Sequence, residues 1–124
     1  MKAARLALAA GLLALNASGA PAQETMSGAD LFRAHCATCH ATRPGAVSAI
    51  PGPNLGGIYG RAAGSLPGYP YSAGLAGTNF TWDAAKLDAW LVDPEALVPG
   101  TTMRTRIADP VVRLRIIEWL RQQR

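Results

Sequence analysis

Cysteine and histidine, the usual protein ligands of transition metals, are nearly absent from this sequence, with two of each in 124 residues. All four fall within "HCATCH", residues 35 to 40. A tetrahedral zinc site needs four separate ligands, and no second pair exists elsewhere to complete one. Charge of one sign is also missing. The formal net charge is +4 over the whole chain, and it falls to +2 once Lys2 and Arg5 are set aside. So weak an excess excludes a nucleic-acid binder built on a basic face. Long apolar runs are absent too. The longest, Leu6 to Leu15, is far short of the roughly 20 residues that span a bilayer. No segment alternates like a strand and no repeat appears, so the sequence predicts an all-α fold.

What the chain does have begins at its front. Lys2 and Arg5 precede the apolar run, and small residues follow it to Ala20-Pro21-Ala22. This layout predicts a secretory signal peptide over residues 1–22, with no cysteine nearby to carry a lipid. The expected mature chain, residues 23–124, is a single exported domain that does not insert in the membrane, and in a bacterium it is periplasmic. It has eight aromatic residues, 11 Gly and eight Pro. From Pro44 to Gly77 it shows no helix or strand period. Loops of this length are uncommon in compact domains and usually functional. A small chain with so thin a core of its own calls for a staple such as a disulfide, a metal or a cofactor.

Three segments around the loops read as helices. In "SGADLFRAHCATCH", Ser27 and Asp30 have capping-box spacing, and Leu31, Phe32, His35, Cys36 and Cys39 follow at three- and four-residue steps. In "TWDAAKLDAWLVDP", Thr81 is the expected N-cap, Leu87, Trp90 and Leu91 form the stripe, and Pro94 is the stop. In "DPVVRLRIIEWLRQQR", Asp109 caps, Pro110 takes the first helical position, and Val112, Ile116, Trp119 and Leu120 share a face. Arg121 and Arg124 are expected in its last turn, where cations suit the helix dipole.

Cys36 and Cys39 stand three apart with His40 directly after. A disulfide between them closes too short a loop to stabilise much. A thioredoxin-like redox pair needs a strand–helix–strand setting, which is missing. The remaining reading is C-x-x-C-H, the attachment site of a c-type haem. Residues three apart share one helix face, so both thiols reach the vinyl groups of one haem and His40 is held beside the porphyrin. Iron with one histidine has a sixth position to fill. Met1 leaves with the leader, Met26 is at the mature N-terminus, and His35 adjoins the motif itself. That leaves Met103, in the polar setting "VPGTTMRTR". A lone methionine is more often core packing, but no apolar period surrounds this one. A thioether ligand raises the reduction potential of the iron.

These segments, in the order "CATCH", "GPNLGGIYGR", "GYPYSAGL", "TWDAAKLDAWLVDP", "VPGTTM" and "IIEWL", resemble the class I cytochromes c. The resemblance runs from about Gly28 to Leu120. It implies the cytochrome c fold, at least three helices with long Gly/Pro loops wrapped around one haem c. Cys36 and Cys39 then carry the thioethers, and His40 and Met103 are the iron ligands. The carbonyl of Pro53 accepts a hydrogen bond from His40 and orients it. Arg61, Tyr71 and Trp82 match residues that hold a haem propionate. Gly28, Phe32 and Trp119 match the contact between first and last helices.

The departures bear on function. Trp90 stands where the family often has a tyrosine near the methionine sulfur, and an indole N–H donates but cannot accept. Leu75 replaces an asparagine of the mitochondrial relatives. Their ring of docking lysines is missing, and Lys86 is the only lysine after residue 22. Arg104 and Arg106 either replace part of that ring or are solvated loop charges. The expected function is one-electron transfer by a non-enzymatic monomer that docks transiently with redox proteins at an exposed haem edge. Two alternatives are a haem subunit of a periplasmic dehydrogenase or sulfur-compound oxidase, and a ligand-binding or peroxidase-like haem with Met103 detached.

Overall fold

The structure is a computed structural model that describes Gly19, residues 25–46 and residues 51–124. Apart from Gly19, the expected leader lies outside the described residues. Among the described residues these helices form: α1 Gly28–His35, α2 Ala73–Ala76, α3 Ala84–Val92, α4 Pro94–Leu97 and α5 Pro110–Arg121. Among the described residues there is no strand, only an isolated antiparallel bridge between Ala62 and Thr81. No helix among the described residues is long and apolar enough to cross a membrane.

Local chemistry sets the helix ends. Ser27 Oγ accepts from Asp30 N at 3.2 Å and donates to the Asp30 carboxylate at 2.6 Å, so one hydroxyl satisfies a free N–H of the first turn. The Ser27 hydroxyl and then Arg33 hold the Asp30 carboxyl below the usual carboxylate range. Asp109 caps α5, with Pro110 at its first position.

Several boundaries differ from expectation. α1 ends at His35 with Cys36 as its C-cap, so Cys39 lies on the turn beyond the helix. That turn stays helix-like, with Cys39 N and His40 N both donating to Cys36 O, at 3.0 and 2.9 Å. Asp83, not Thr81, caps α3, its carboxylate accepting from Lys86 N at 2.8 Å. Thr81 is taken up by the bridge to Ala62. Pro94 ends α3 but also starts α4, because Asp93 re-caps the chain there. Arg124 lies past the end of α5. The Gly/Pro region holds one short helix, α2, capped by Ser72.

The core is the seam between α1 and α5. Leu31 and Ile116 are completely buried, and the Phe32 and Trp119 rings pack at 4.7 Å. Fully burying one such side chain contributes about 1.5–3 kcal/mol. Arg115 Nη1 donates to Met26 O at 2.8 Å across the seam. α3 joins from the other side through Arg113, which bonds Asp88 at 2.7 Å and the Ile107 carbonyl at 2.8 Å. At Gly28 α1 lies directly against α5. A Cβ there would overlap Arg115 O and lie 2.7 Å from Trp119 Cβ. Gly28→Ala is therefore expected to lower stability by about 1–3 kcal/mol, read as a shift of the denaturation midpoint with an unchanged visible spectrum.

Candidate cofactor site

Between the helices and the loops lies a cavity of about 430 Å³, within the roughly 300–1,000 Å³ of sites that bury a cofactor-sized ligand. Segments far apart in the sequence contribute to it. Cys36, Cys39 and His40 come from the turn after α1, and Gly52, Pro53, Leu55 and Ile58 from the following loop. Tyr71 and Leu75 flank them, with Trp82, Leu87, Trp90 and Leu91 from around α3. Residues 101–105 and then Ile116 and Leu120 of α5 complete the wall. Arg104 is the one Lys, Arg, Asp or Glu on that wall among the described residues. A small helical domain thus arranges its apolar side chains around a gap instead of filling it.

The turn after α1 carries two free thiols. Cys36 is buried and Cys39 exposed. Burial, and to a lesser degree Cys39, pushes the Cys36 thiol up to about 12. His40 is held by its Nδ1, which lies 2.8 Å from the carbonyl oxygen of Pro53. A carbonyl only accepts, so Nδ1 carries the proton and Nε2 keeps its lone pair. Burial lowers the His40 pKa, and the Pro53 bond opposes it in part. The Pro53 bond thus fixes the ring's orientation and tautomer. Gly52 makes this possible: a Cβ there would lie 2.5 Å from His40 Nδ1 and 2.6 Å from Cys39 O.

Met103 reaches the same cavity from the far end of the sequence. Its sulfur accepts a hydrogen bond from Trp90 Nε1 at 3.1 Å. The indole N–H has no alternative role, so it fixes one side of the sulfur. Trp82 is buried edge-on between Phe80 and Trp90, with ring centroids 4.9 and 5.3 Å away. The Tyr71 hydroxyl accepts from Leu66 N at 3.1 Å, which leaves its own proton for a further acceptor.

Arg61 is separate from these residues. It lines an adjoining groove that shares Pro51, Tyr69 and Pro70 with the main cavity. Two of its nitrogens donate to the carbonyls of Asn54 and Gly56, at 3.1 and 3.2 Å. Its Nε is buried with no partner. A buried cationic N–H without an acceptor is expensive, and a carboxylate would satisfy it.

The donor set fits a haem c. Two thiols stand on one turn, and one imidazole and one thioether stand on one cavity. Tyr71 on the cavity wall has a spare phenol proton, and Arg61 in the adjoining groove has an orphaned N–H, both of which carboxylates would satisfy. Among the described residues no three His, Cys, Asp or Glu side chains converge as a metal site of their own. Sequence reasoning placed Trp90 by the sulfur but missed Gly52, whose only signal was its place between Pro51 and Pro53. It also missed Asp93 and Glu95, which bind the Met103 loop.

No protein-family model matches the chain. Similar proteins agree with one another, however. The cytochrome c2 of Rhodomicrobium vannielii is 36% identical over 124 residues, covering 99% of this chain and 98% of that one. The cytochrome c2 of Blastochloris viridis is 39% identical over 95 residues, 75% of this chain and 73% of its own. The cytochrome c of Ginkgo biloba is 35% identical over 106 residues, 85% and 93%. With such identities along most of both chains, and a cavity bounded by C-x-x-C-H and a lone methionine, this protein belongs to the cytochrome c family as a class I, single-haem member.

Proposed function

We propose that this cytochrome carries one electron at a time between redox partners, its haem bonded to Cys36 and Cys39 and its iron held by His40 and Met103. Cytochromes c are electron carriers and not enzymes, and the chain works in that way. The observation that supports the ligand assignment is that His40 and Met103, 63 positions apart in sequence, border one cavity and are each restrained by a hydrogen bond, His40 at Nδ1 and Met103 at its sulfur. When bound, the haem supplies a ferrous–ferric couple. Pro53 keeps His40 from turning, and Trp90 restrains the Met103 sulfur, so little has to move when the charge changes. The apolar wall excludes water, which favours the less charged, reduced state. A sulfur already engaged by Trp90 also favours a filled sixth position over the ligand-binding alternative.

The test is the visible spectrum of the purified holoprotein, oxidised and then reduced with dithionite. Sharp reduced bands of a six-coordinate c-type haem are expected, with the weak near-red band of a ferric iron–sulfur bond. Sharp bands without the near-red feature would remove Met103 as a ligand.

We also propose that residues 1–22 export the chain to the periplasm and that it meets its partners as a monomer, transiently, at the cavity mouth. The Met103 loop beside the cavity is close to neutral. Arg104 lies 3.6 Å from Glu95 and Arg106 3.0 Å from Asp93, so each exposed cation has its own anion. Electron exchange with ferricyanide and with a cationic cobalt complex should therefore change less than about threefold between low and high salt. Charge-steered associations gain roughly 10- to 1,000-fold at low salt. A steep salt dependence in stopped-flow would show that a charged face does the docking.

A further inference from the structure

The segment that carries Met103, residues 100–107, contains no helix and no strand. Polar contacts tie it at several points to one short stretch, Trp90 to Glu95. Glu95 Oε1 accepts from Gly100 N at 3.0 Å. Its other oxygen lies 3.6 Å from Arg104 Nη1. One carboxylate therefore grips the loop three residues before Met103 and again one residue after it. Asp93 Oδ1 caps α4 through Ala96 N at 3.3 Å and takes Arg106 Nη2 at 3.0 Å. Ile107 N closes the loop onto Leu91 O at 2.8 Å.

Glu95 differs from an ordinary surface acid. Its side chain is 42% exposed, yet Oε2 is enclosed and makes no hydrogen bond. An enclosed carboxylate oxygen is stabilised by a nearby cation, and Arg104 is the cation at hand. An isolated exposed ion pair contributes little. Here the same carboxylate also holds a backbone N–H, so the loop is fixed at two points by one side chain. Letting go of either point allows the sulfur to swing away from the cavity.

We propose that Glu95 is a positioning residue for Met103: it spans the ligand loop and sets how firmly the sulfur is presented. This rests on Met103 being the ligand proposed above. The experiment uses the holoproteins of the parent, Glu95→Ala, Glu95→Gln and Arg104→Gln. Three readings are taken on each: the near-red band of the ferric state on warming, the rate of carbon monoxide binding to the reduced state, and unfolding by far-ultraviolet circular dichroism.

In Glu95→Ala the band is expected to fade well below the unfolding temperature. Carbon monoxide should bind about five- to tenfold faster, the size expected from one lost hydrogen bond. Glu95→Gln keeps an acceptor for Gly100 N and should recover most of the parent's behaviour. Arg104→Gln removes the other grip and should lie between. Glu95→Ala matching the parent in band and carbon monoxide rate would overturn the proposal, as would a band that fades only as the helices melt. A parent without the near-red band would instead overturn the Met103 assignment, and the role of Glu95 with it.

Discussion

Met103→Ala is expected to abolish the near-red band, to let the reduced protein bind carbon monoxide, and to lower the reduction potential. The fall should be on the order of 0.2 V, a fraction of the roughly 0.8 V over which axial ligands set haem potentials. The direction follows from ligand chemistry. A thioether is a soft donor that stabilises the reduced iron, so its loss favours the oxidised state. The structure adds a second contribution of the same sign. Trp90 Nε1 donates to the sulfur at 3.1 Å and so draws electron density away from it. In the variant that donor faces an empty space instead.

The fold should survive the change, because Met103 only packs against the edge of the core. Leu31, Phe32, Ile116 and Trp119 hold the α1–α5 seam without it. Melting followed by circular dichroism should therefore move by a few degrees at most. Redox titration and carbon monoxide difference spectra decide the matter. A variant that keeps the parent's band and still refuses carbon monoxide has its sixth position filled by another group.

Legibility varied with how local each interaction is. Ser27, Asp109 and Pro110 were readable because a cap is chosen by residues within four positions. The stripes of α3 and α5 were readable because buried neighbours recur at helical spacing. Thr81 and Asp83 are both good caps, and the choice between them was made by Ala62, nineteen positions away. Pro94 read as a stop because proline breaks a helix interior, but the same residue is favoured at a first turn, and Asp93 supplied one. In the site, C-x-x-C-H is a local pattern and was found at once. The tie between Glu95 and Gly100 has no periodicity and was invisible. Arg61 was matched to the propionate-holding residues through resemblance alone, because its anchoring by the backbone carbonyls of Asn54 and Gly56 leaves no pattern in the sequence.

The second large effect is expected at Gly52. The imidazole of His40 has nowhere to go: its Nδ1 is bonded to Pro53 O at 2.8 Å and its backbone N to Cys36 O at 2.9 Å. Gly52 N donates to Cys39 O at 2.7 Å, so the loop lies directly against the ring. An alanine Cβ would lie 2.5 Å from Nδ1, well inside contact distance. Either the ring leaves Pro53 or the loop leaves Cys39. Gly52→Ala should therefore lose about 1–3 kcal/mol from overpacking. It should also broaden the sharp c-type bands as His40 loosens. Gly57→Ala is the control. Gly57 has φ +70 with nothing near its missing Cβ, so alanine there meets backbone strain alone, about 1–2 kcal/mol. The two variants then lose similar stability in guanidinium, but only Gly52→Ala changes the spectrum. If both leave the spectrum alone, the loop has left Cys39 while His40 keeps its place, and the expected loosening of the ring is wrong.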